Sequence, residues 1–499
     1  MINMDLRSVL QYRSNGKNVY EIVKNLTIFV KKFVAENFLF QKSLSDLSII
    51  LDIPKTVLEN RSKQILFGFY QFDKKKFILK NNILFIFCDL VISLGLSIFM
   101  MLHIFTPNKN KIRKFDLICE NIASDVDVKR HKFLSENFNS TLLLSYKNLE
   151  CNYENTKLIN IKKELFNLVS INFSFKKIAS LVLFLIKIFY YSILNRYNFL
   201  SVFKHLIYDF IKYKKIYSKY SAKYHFNCRF YDTNPLHNYI FKKSGGLKTS
   251  CYQKNLCMLS LSCFVYSDIF FSLGQDQGKI CNDLGGEIDF FKPVGSFFME
   301  NAWFKQKKDQ EKIPDIDVLI IGINAPYPRG CINNDFHNSY YKEFIPWIVK
   351  ISKEFPNKKI FYKHHNYFKG DVRASELLNN ANLKVIVNDK SLNSTYGWAF
   401  KSKIIISFGS TMIVELIGNG KQAYFIDPGG INHQWFYGIN DLEKYKIKNY
   451  DTLKKIVANS SNIKTDHNVQ NENFFCISGG NTSKIISNFL KNEINKNKK

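Results

Sequence analysis

The stretch from Asp317 to Asp427 most constrains the fold, because uninterrupted apolar runs alternate there with helix-length segments. Val318–Ile323 (VLIIGI) precedes a helical pattern over Tyr340–Phe355, and Lys359–Tyr362 precedes another over Val372–Asn379. Leu383–Val387, Ile404–Ser407 and Gln422–Ile426 follow as further strands, with a helix opening near Ser410. Continuous apolar strands bury both faces, as in a parallel sheet covered by helices on each side. Right-handed crossovers then give a doubly wound, Rossmann-like α/β domain whose ligands sit beyond the carboxyl ends of the strands.

Upstream the texture changes. FDLIC, TLLLSY, CRFYD, KTSCY, DIFFSLG and FFKPVGS are strand-like runs between Phe115 and Gly295, interrupted by apolar helical segments. From Met1 to about Lys111 apolar residues recur at three- and four-residue spacings, as in LSDLSIILDIPKTVLENRSKQI. A chain of 499 residues exceeds one compact core. The expected organisation is a helical, apolar and basic extension over 1–111, a Rossmann-like domain with a helical insertion over 112–310, and a second Rossmann-like domain over 315–499.

Charge narrows the partners. Lys and Arg number 71 against 42 acidic residues, a formal net charge of +29, yet only 9 are Arg. Readers of nucleic acid lean on bidentate Arg forks, so nucleic acid is not the expected partner, and part of the Lys excess is compositional. An anionic membrane surface suits the remainder. The ten cysteines form no CxxC pair and no zinc-like pattern, which predicts reduced thiols and no metal site. The opening MINMDLRSVLQYRSNGKNVY has no apolar core of signal-peptide type, so the expected location is cytoplasmic, peripheral at the inner face of the cytoplasmic membrane.

Two apolar stretches bear on that location. Ile83–Phe105 is long enough to span a bilayer but carries Asp89 and His103, with basic residues on both flanks. Ile178–Leu194 is shorter and contains Lys187, and Lys and Tyr interleave over Ile211–Tyr224, a composition suited to a headgroup layer. A buried helix, a surface-lying helix and a true span all fit these patterns.

Three turns of the 317–427 region carry plausible chemistry. Ser407-Phe408-Gly409-Ser410-Thr411 joins a strand to a helix, so free N–H groups and hydroxyls would cradle a phosphate, with Glu415 one turn on to accept from a sugar hydroxyl. Plain N-capping by Ser410 or Thr411 is the alternative. Lys363-His364-His365-Asn366 follows the strand KIFY; adjacent side chains point to opposite faces, so His365 is expected on phosphate and His364 in a structural role. Asp427-Pro428-Gly429-Gly430 reads as a tight loop.

The order strand, KHHN, strand, helix, SFGSTMIVE, helix, strand resembles the nucleotide-binding domain of GT-B glycosyltransferases of surface polysaccharides. It is similar in style to capsule polysaccharide transferases, polysialyltransferases and teichoic-acid glycerophosphotransferases. The resemblance implies that Lys363, His365, Ser407, Gly409, Ser410, Thr411 and Glu415 bind a CMP, CDP or UDP donor, with Asn366 where the family has Pro. Upstream, Tyr231–Asn255 and Ser267–Ser296 are similar to the family's acceptor-side segments, Leu273-Gly274 standing for a W-G-like pair. One departure matters: Gln253-Lys254-Asn255 replaces the family's Q-H-G, and a Lys is a near-neutral base only with a strongly depressed pKa.

The resulting expectation is a GT-B protein whose first domain faces the acceptor and whose second holds a nucleotide sugar. It would transfer the sugar to a surface glycan or lipid-linked acceptor, with no cofactor and no metal required. Asp232 and His237 are the candidate catalytic bases. Asp232 follows CRFY, so it is expected at a strand's carboxyl end facing the cleft, or as an N-cap before Thr233-Asn234-Pro235. The alternatives are a CDP-polyol phosphotransferase and a non-catalytic, membrane-associated glycan-assembly protein.

Overall fold

The computed structural model describes residues 16–72, 83–104, 112–166, 173–275, 277–303, 316–323, 338–365, 371–386, 394–428, 442–461 and 475–496. Its strands form two parallel sheets. The first comprises β1 (Arg113–Ile122), β2 (Thr141–Ser145), β3 (Thr156–Asn160), β4 (Tyr220–Asn227), β5 (Lys248–Tyr252), β6 (Tyr266–Ser272) and β7 (Glu287–Pro293), in the order β3-β2-β1-β4-β5-β6-β7. The second comprises β8 (Ile316–Ile321), β9 (Ile360–Lys363), β10 (Lys384–Ile386), β11 (Ser402–Ser407), β12 (Gln422–Ile426) and β13 (Lys446–Ile447), in the order β10-β9-β8-β11-β12-β13. Each sheet is built outward from its first strand and then resumes on that strand's other side. The topological switch points therefore lie at β1/β4 and β8/β11, where doubly wound sheets open a crevice for ligands.

Alternation along the central strands divides the core. Leu319 and Ile321 of β8 and Ile405 of β11 join one cluster, whereas Val318, Ile320, Ile404 and Ile406 face another. The first of these is continuous with Leu117, Cys119 and Phe271 of the first sheet, so one apolar core runs through the domain junction. Phe297, Phe298 and Met299, just after β7, are buried in it. Each such side chain removed from water stabilises by about 1.5–3 kcal/mol, which fixes the junction as a packed interface.

The N-terminal region is a helical layer: α1 (Gly16–Glu36), α2 (Phe38–Leu51), α3 (Lys55–Phe72) and α4 (Ile83–Ile104). It packs on the remaining face of the first sheet together with α7 (Phe175–Asn195) and α8 (Phe199–Lys219), which enter between β3 and β4 after α6 (Ile161–Phe166). The Arg61 guanidinium of α3 meets Asp209 of α8 at 2.8 Å, and the Gln64 amide donates to the carbonyls of Thr233 and Phe264. Side-chain caps start several helices: Asn37 begins α2, Ser124 begins α5 (Asp125–Ser135) and Asn198 begins α8. The short α10 (Ile280–Asp283) precedes β7, and in the second domain α11 (Ile345–Glu354), α12 (Val372–Leu378), α13 (Ser394–Phe400), α14 (Met412–Gly418) and α15 (Tyr450–Ala458) flank the sheet. Within 315–499 the last helix, α16 (Thr482–Lys496), reaches back to the first domain, where Phe489 meets the rings of Phe271 and Phe290.

Two sequence expectations are corrected. CRFYD is not a strand: β4 is the preceding YSAKYHFN, and Phe230–Asp232 forms a 3₁₀ turn beyond its carboxyl end. The Lys/Tyr run Ile211–Tyr224 is not a headgroup surface. It is the end of α8 and the start of β4, with Lys212, Tyr213, Lys215, Ile216 and Tyr217 buried. The lysines escape the usual cost by pairing: Lys212 with Asp209 and the Tyr146 hydroxyl, Lys215 with the Leu165 carbonyl. Asn366, Gly429 and Gly430 lie outside the described residues.

Candidate functional site

The expected phosphate turn lies at the switch point of the second sheet, and its side chains are already engaged. Ser407 is buried and its hydroxyl donates to the Ile321 carbonyl at 3.0 Å, tying β11 to β8. The Ser410 hydroxyl accepts the Met412 N–H at 3.3 Å. The Thr411 hydroxyl accepts the Leu256 N–H of the first domain at 3.2 Å, which sets Gly409–Thr411 against the segment after β5. Glu415 is buried. The Ser296 hydroxyl donates to one of its oxygens at 2.7 Å and the Tyr396 hydroxyl to the other at 2.8 Å, while burial pushes its carboxyl pKa up. Both oxygens are thus used at the domain junction.

Cations gather beside this turn. Lys363 ends β9 and is buried, its ammonium 3.4 Å from the His364 carbonyl. His364 is also buried: its ring accepts the Asp371 N–H at 3.3 Å and lies 3.2 Å from the Ser375 hydroxyl. The neighbouring His365 reaches solvent at the crevice wall. Desolvation on its protein side, then Lys363 and Lys254, push its pKa down to about 4, so the ring is neutral at pH 7. Lys254, where the family pattern has His, is lowered by burial and by Arg229. The Arg130 guanidinium lies 4.7 Å from the Phe298 ring centroid and Lys254 lies 5.6 Å from it. The Nε–H groups of Arg130 and Arg229 are buried without a hydrogen-bond partner among the described residues. Their acidic neighbours are few: Asp127 pairs with Arg130 at 3.5 Å and Asp232 with Arg229 at 3.6 Å.

Asp232 connects this cluster to a cavity of about 510 Å³ beyond β1 and β4, lined also by Arg61, Glu120, Asp209, Lys212 and Tyr213. Burial raises its pKa against the opposing pull of Arg229 and Lys254. It does not cap the following helix. Asn234 does, accepting the N–H groups of Leu236 and His237 at the start of α9 (Pro235–Lys243), with Pro235 in the first turn where no donor is needed.

His237 lies apart from the crevice, buried behind Glu120. Its Nε2 is 2.6 Å from the Tyr217 hydroxyl and 3.7 Å from Glu120, its Nδ1 is 3.2 Å from the Asn238 amide oxygen, and burial holds its pKa down to about 4. Glu120 also meets His225 Nε2 at 3.4 Å; against the effect of burial, His237, His225 and Lys212 hold its carboxyl at about 2. Glu120, His225 and His237 place their ligand atoms within 4.8 Å of one another, a donor set that suits zinc. Sequence reading named His237 but missed Glu120 and His225, and Arg130 and Arg229 with them, because β1, α5, β4 and α9 bring these residues together from distant positions. Two of only 9 Arg at one crevice was the available signal.

No protein-family model matches the chain, and no curated protein matches it in sequence. Solved structures are similar in fold. The UDP-GlcNAc 2-epimerase of Neisseria meningitidis bound to UDP-GlcNAc is 13% identical over 76% of this chain and 100% of its own, with a TM-score of 0.43. The wall teichoic acid polymerase TagF is 10% identical over 83% and 98%, with a TM-score of 0.46. MnaA of S. aureus, solved with UDP, is 8% identical over 76% and 97%, with a TM-score of 0.41. Two doubly wound parallel sheets, joined beyond their strands' carboxyl ends by the Leu256–Thr411 hydrogen bond, and a last helix returned to the first domain, give this chain a GT-B type fold with a helical N-terminal extension.

Proposed function

We propose that the protein transfers a glycosyl group from a nucleotide-activated donor to a hydroxyl of a surface glycan or lipid-linked acceptor. The observation that carries this reading is the group Arg130, Arg229, Lys254, Lys363 and His365 on the crevice between the sheets, beside a carboxylate-lined cavity. Two buried guanidinium Nε–H groups without partners among the described residues suit a ligand that is anionic and rich in acceptors, as a diphosphate is. Gly409, Ser410 and Thr411 complete the donor wall, while Ser407 and Glu415 hold that wall in place. Asp232 is the proposed base. The acceptor oxygen bonds to the anomeric carbon, its proton passes to Asp232, and the bond from that carbon to the diphosphate oxygen breaks with its electron pair. The cations stabilise the charge of the departing nucleotide.

The test incubates the protein with UDP-, GDP-, CDP- and CMP-activated sugars and a glycan acceptor and reads released nucleotide. Acceptor-dependent release from one donor is expected, and its loss in Asp232→Asn. Nucleotide binding without release from any donor would overturn transfer and favour an assembly protein that keeps the fold.

A further inference from the structure

Helix α4 is built inside out. Its buried stripe is Ile86, Asp89, Ser93, Ser97 and Met100, with Leu90 and Leu94 packed beside it, so Asp89, Ser93 and Ser97 face the protein. The Ser93 hydroxyl donates to the Asp89 carbonyl at 2.6 Å and that of Ser97 to the Ser93 carbonyl at 3.1 Å; the Asp89 carboxylate accepts from Asn198 at 2.8 Å and pairs with Lys204 of α8. The opposite side carries Leu84, Phe87, Val91, Ile92 and Ile98, with Leu84 75% exposed. Beside it lies α7, where Phe189 meets Phe87 edge to face and Leu183, Ile186, Tyr190, Ile193 and Leu194 point outward. Only 28% of Leu84–Met101 and 33% of Phe175–Asn195 is buried, whereas a core helix of this hydropathy would be mostly covered.

A polar stripe turned inward and an apolar face turned outward is the polarity expected when the surroundings are less polar than the interior contact. Exposed to water, a patch of this size is a liability. We infer that the outward faces of α4 and α7 lie in the plane of an anionic lipid bilayer, sunk into one leaflet, and that neither helix crosses it. The occupant is lipid because Lys176 and Lys177 stand at the start of α7 and the chain carries +29, matching anionic headgroups. In-plane placement follows from the attachment. Buried contacts from Ile86 to Met100 hold α4 against the protein along about 21 Å. Asp89 anchors it to α8, which is packed in the first domain's core. Crossing would draw that domain into hydrocarbon. It would also set the half-exposed Lys187–Asp46 pair, midway along α7, near the bilayer centre.

Vesicle flotation of the full chain tests it. The protein is expected to float with phosphatidylcholine vesicles containing phosphatidylglycerol. The double variant Val91→Glu/Leu183→Glu, checked for unchanged circular dichroism and melting, should partition at least about tenfold more weakly. Depth is read with a bimane on exposed Cys88, or on Ile98→Cys in a Cys88→Ser background, against lipids carrying nitroxides at graded depths. In-plane seating predicts equal, shallow depths for the two sites, whereas a crossing helix would separate them by about 15 Å. Unequal depths would overturn the placement. Failure to float, with Cys88 protected in a dimer, would overturn the lipid occupant in favour of a second copy.

Discussion

Glu300 offers a test of the junction that needs no substrate. It follows Phe297–Met299 and is buried, and its carboxylate accepts the Ser483 N–H at 3.0 Å and the Ser483 hydroxyl, fastening the start of α16 beside the interdomain linker. Burial raises its pKa to about 7, and the two bonds from Ser483 only partly oppose that shift. An unfolded Glu titrates near 4.5. The folded state therefore holds this proton more tightly, and the group's contribution to stability is complete below about pH 4.5 and is lost as pH rises through about 7. The difference between about 4.5 unfolded and about 7 folded corresponds to roughly 3 kcal/mol between those limits. Glu300→Gln stays neutral and can still accept the Ser483 N–H, so the variant should lack this pH dependence. In urea unfolding the difference in stability, variant minus wild type, should rise by about 3 kcal/mol from pH 4.5 to pH 8.5, other buried acids cancelling in the comparison. Parallel pH profiles for the two proteins would mean that folding does not tighten the hold of Glu300 on its proton.

Other substitutions separate structural from chemical roles. Because Asn234 caps α9, Asp232→Asn should melt near wild type and bind nucleotide normally while turnover falls on the order of 100-fold; full activity would remove Asp232 from the mechanism. Glu415→Ala strands the Ser296 and Tyr396 hydroxyls in the core and should lower unfolding stability by about 3–5 kcal/mol, measured by denaturant titration. His364→Ala should destabilise by about 1–3 kcal/mol through its lost contacts to Asp371 and Ser375. His365→Ala should leave melting unchanged and lower turnover, and equal effects of the two would reverse their roles.

The second sheet was legible in the sequence because its central strands are apolar on both faces, so composition alone marks them. β4 was not, since YSAKYHFN puts Lys, His and Asn among aromatics; it borders the switch point, where His225 and Asn227 meet Glu120 and Asn121. β3 was missed because TKLIN is a short, half-covered edge strand. The turn Ser407–Thr411 was legible as a strand-to-helix junction, but nothing local told that Ser407 and Glu415 turn inward to Ile321, Ser296 and Tyr396. Arg130, Arg229, Lys254 and Lys363 share a crevice only through the two parallel sheets, a long-range arrangement that no local pattern carries. The inverted polarity of α4 is of the same kind: its hydropathy was visible, but the direction of Asp89 required its partner helix.

Arg130, Arg229, Lys254 and Lys363 are the proposed holders of a nucleotide's diphosphate. Calorimetric titration of CDP, UDP and GDP into the wild type, Arg130→Gln and Arg229→Gln tests that assignment. At least one nucleotide should bind the wild type, with affinity that weakens as salt rises and that falls about tenfold or more in each variant, since a charge-assisted bond is worth roughly 1.5–3 kcal/mol. Affinity unchanged in both variants, or no binding by any of the three, would contradict it.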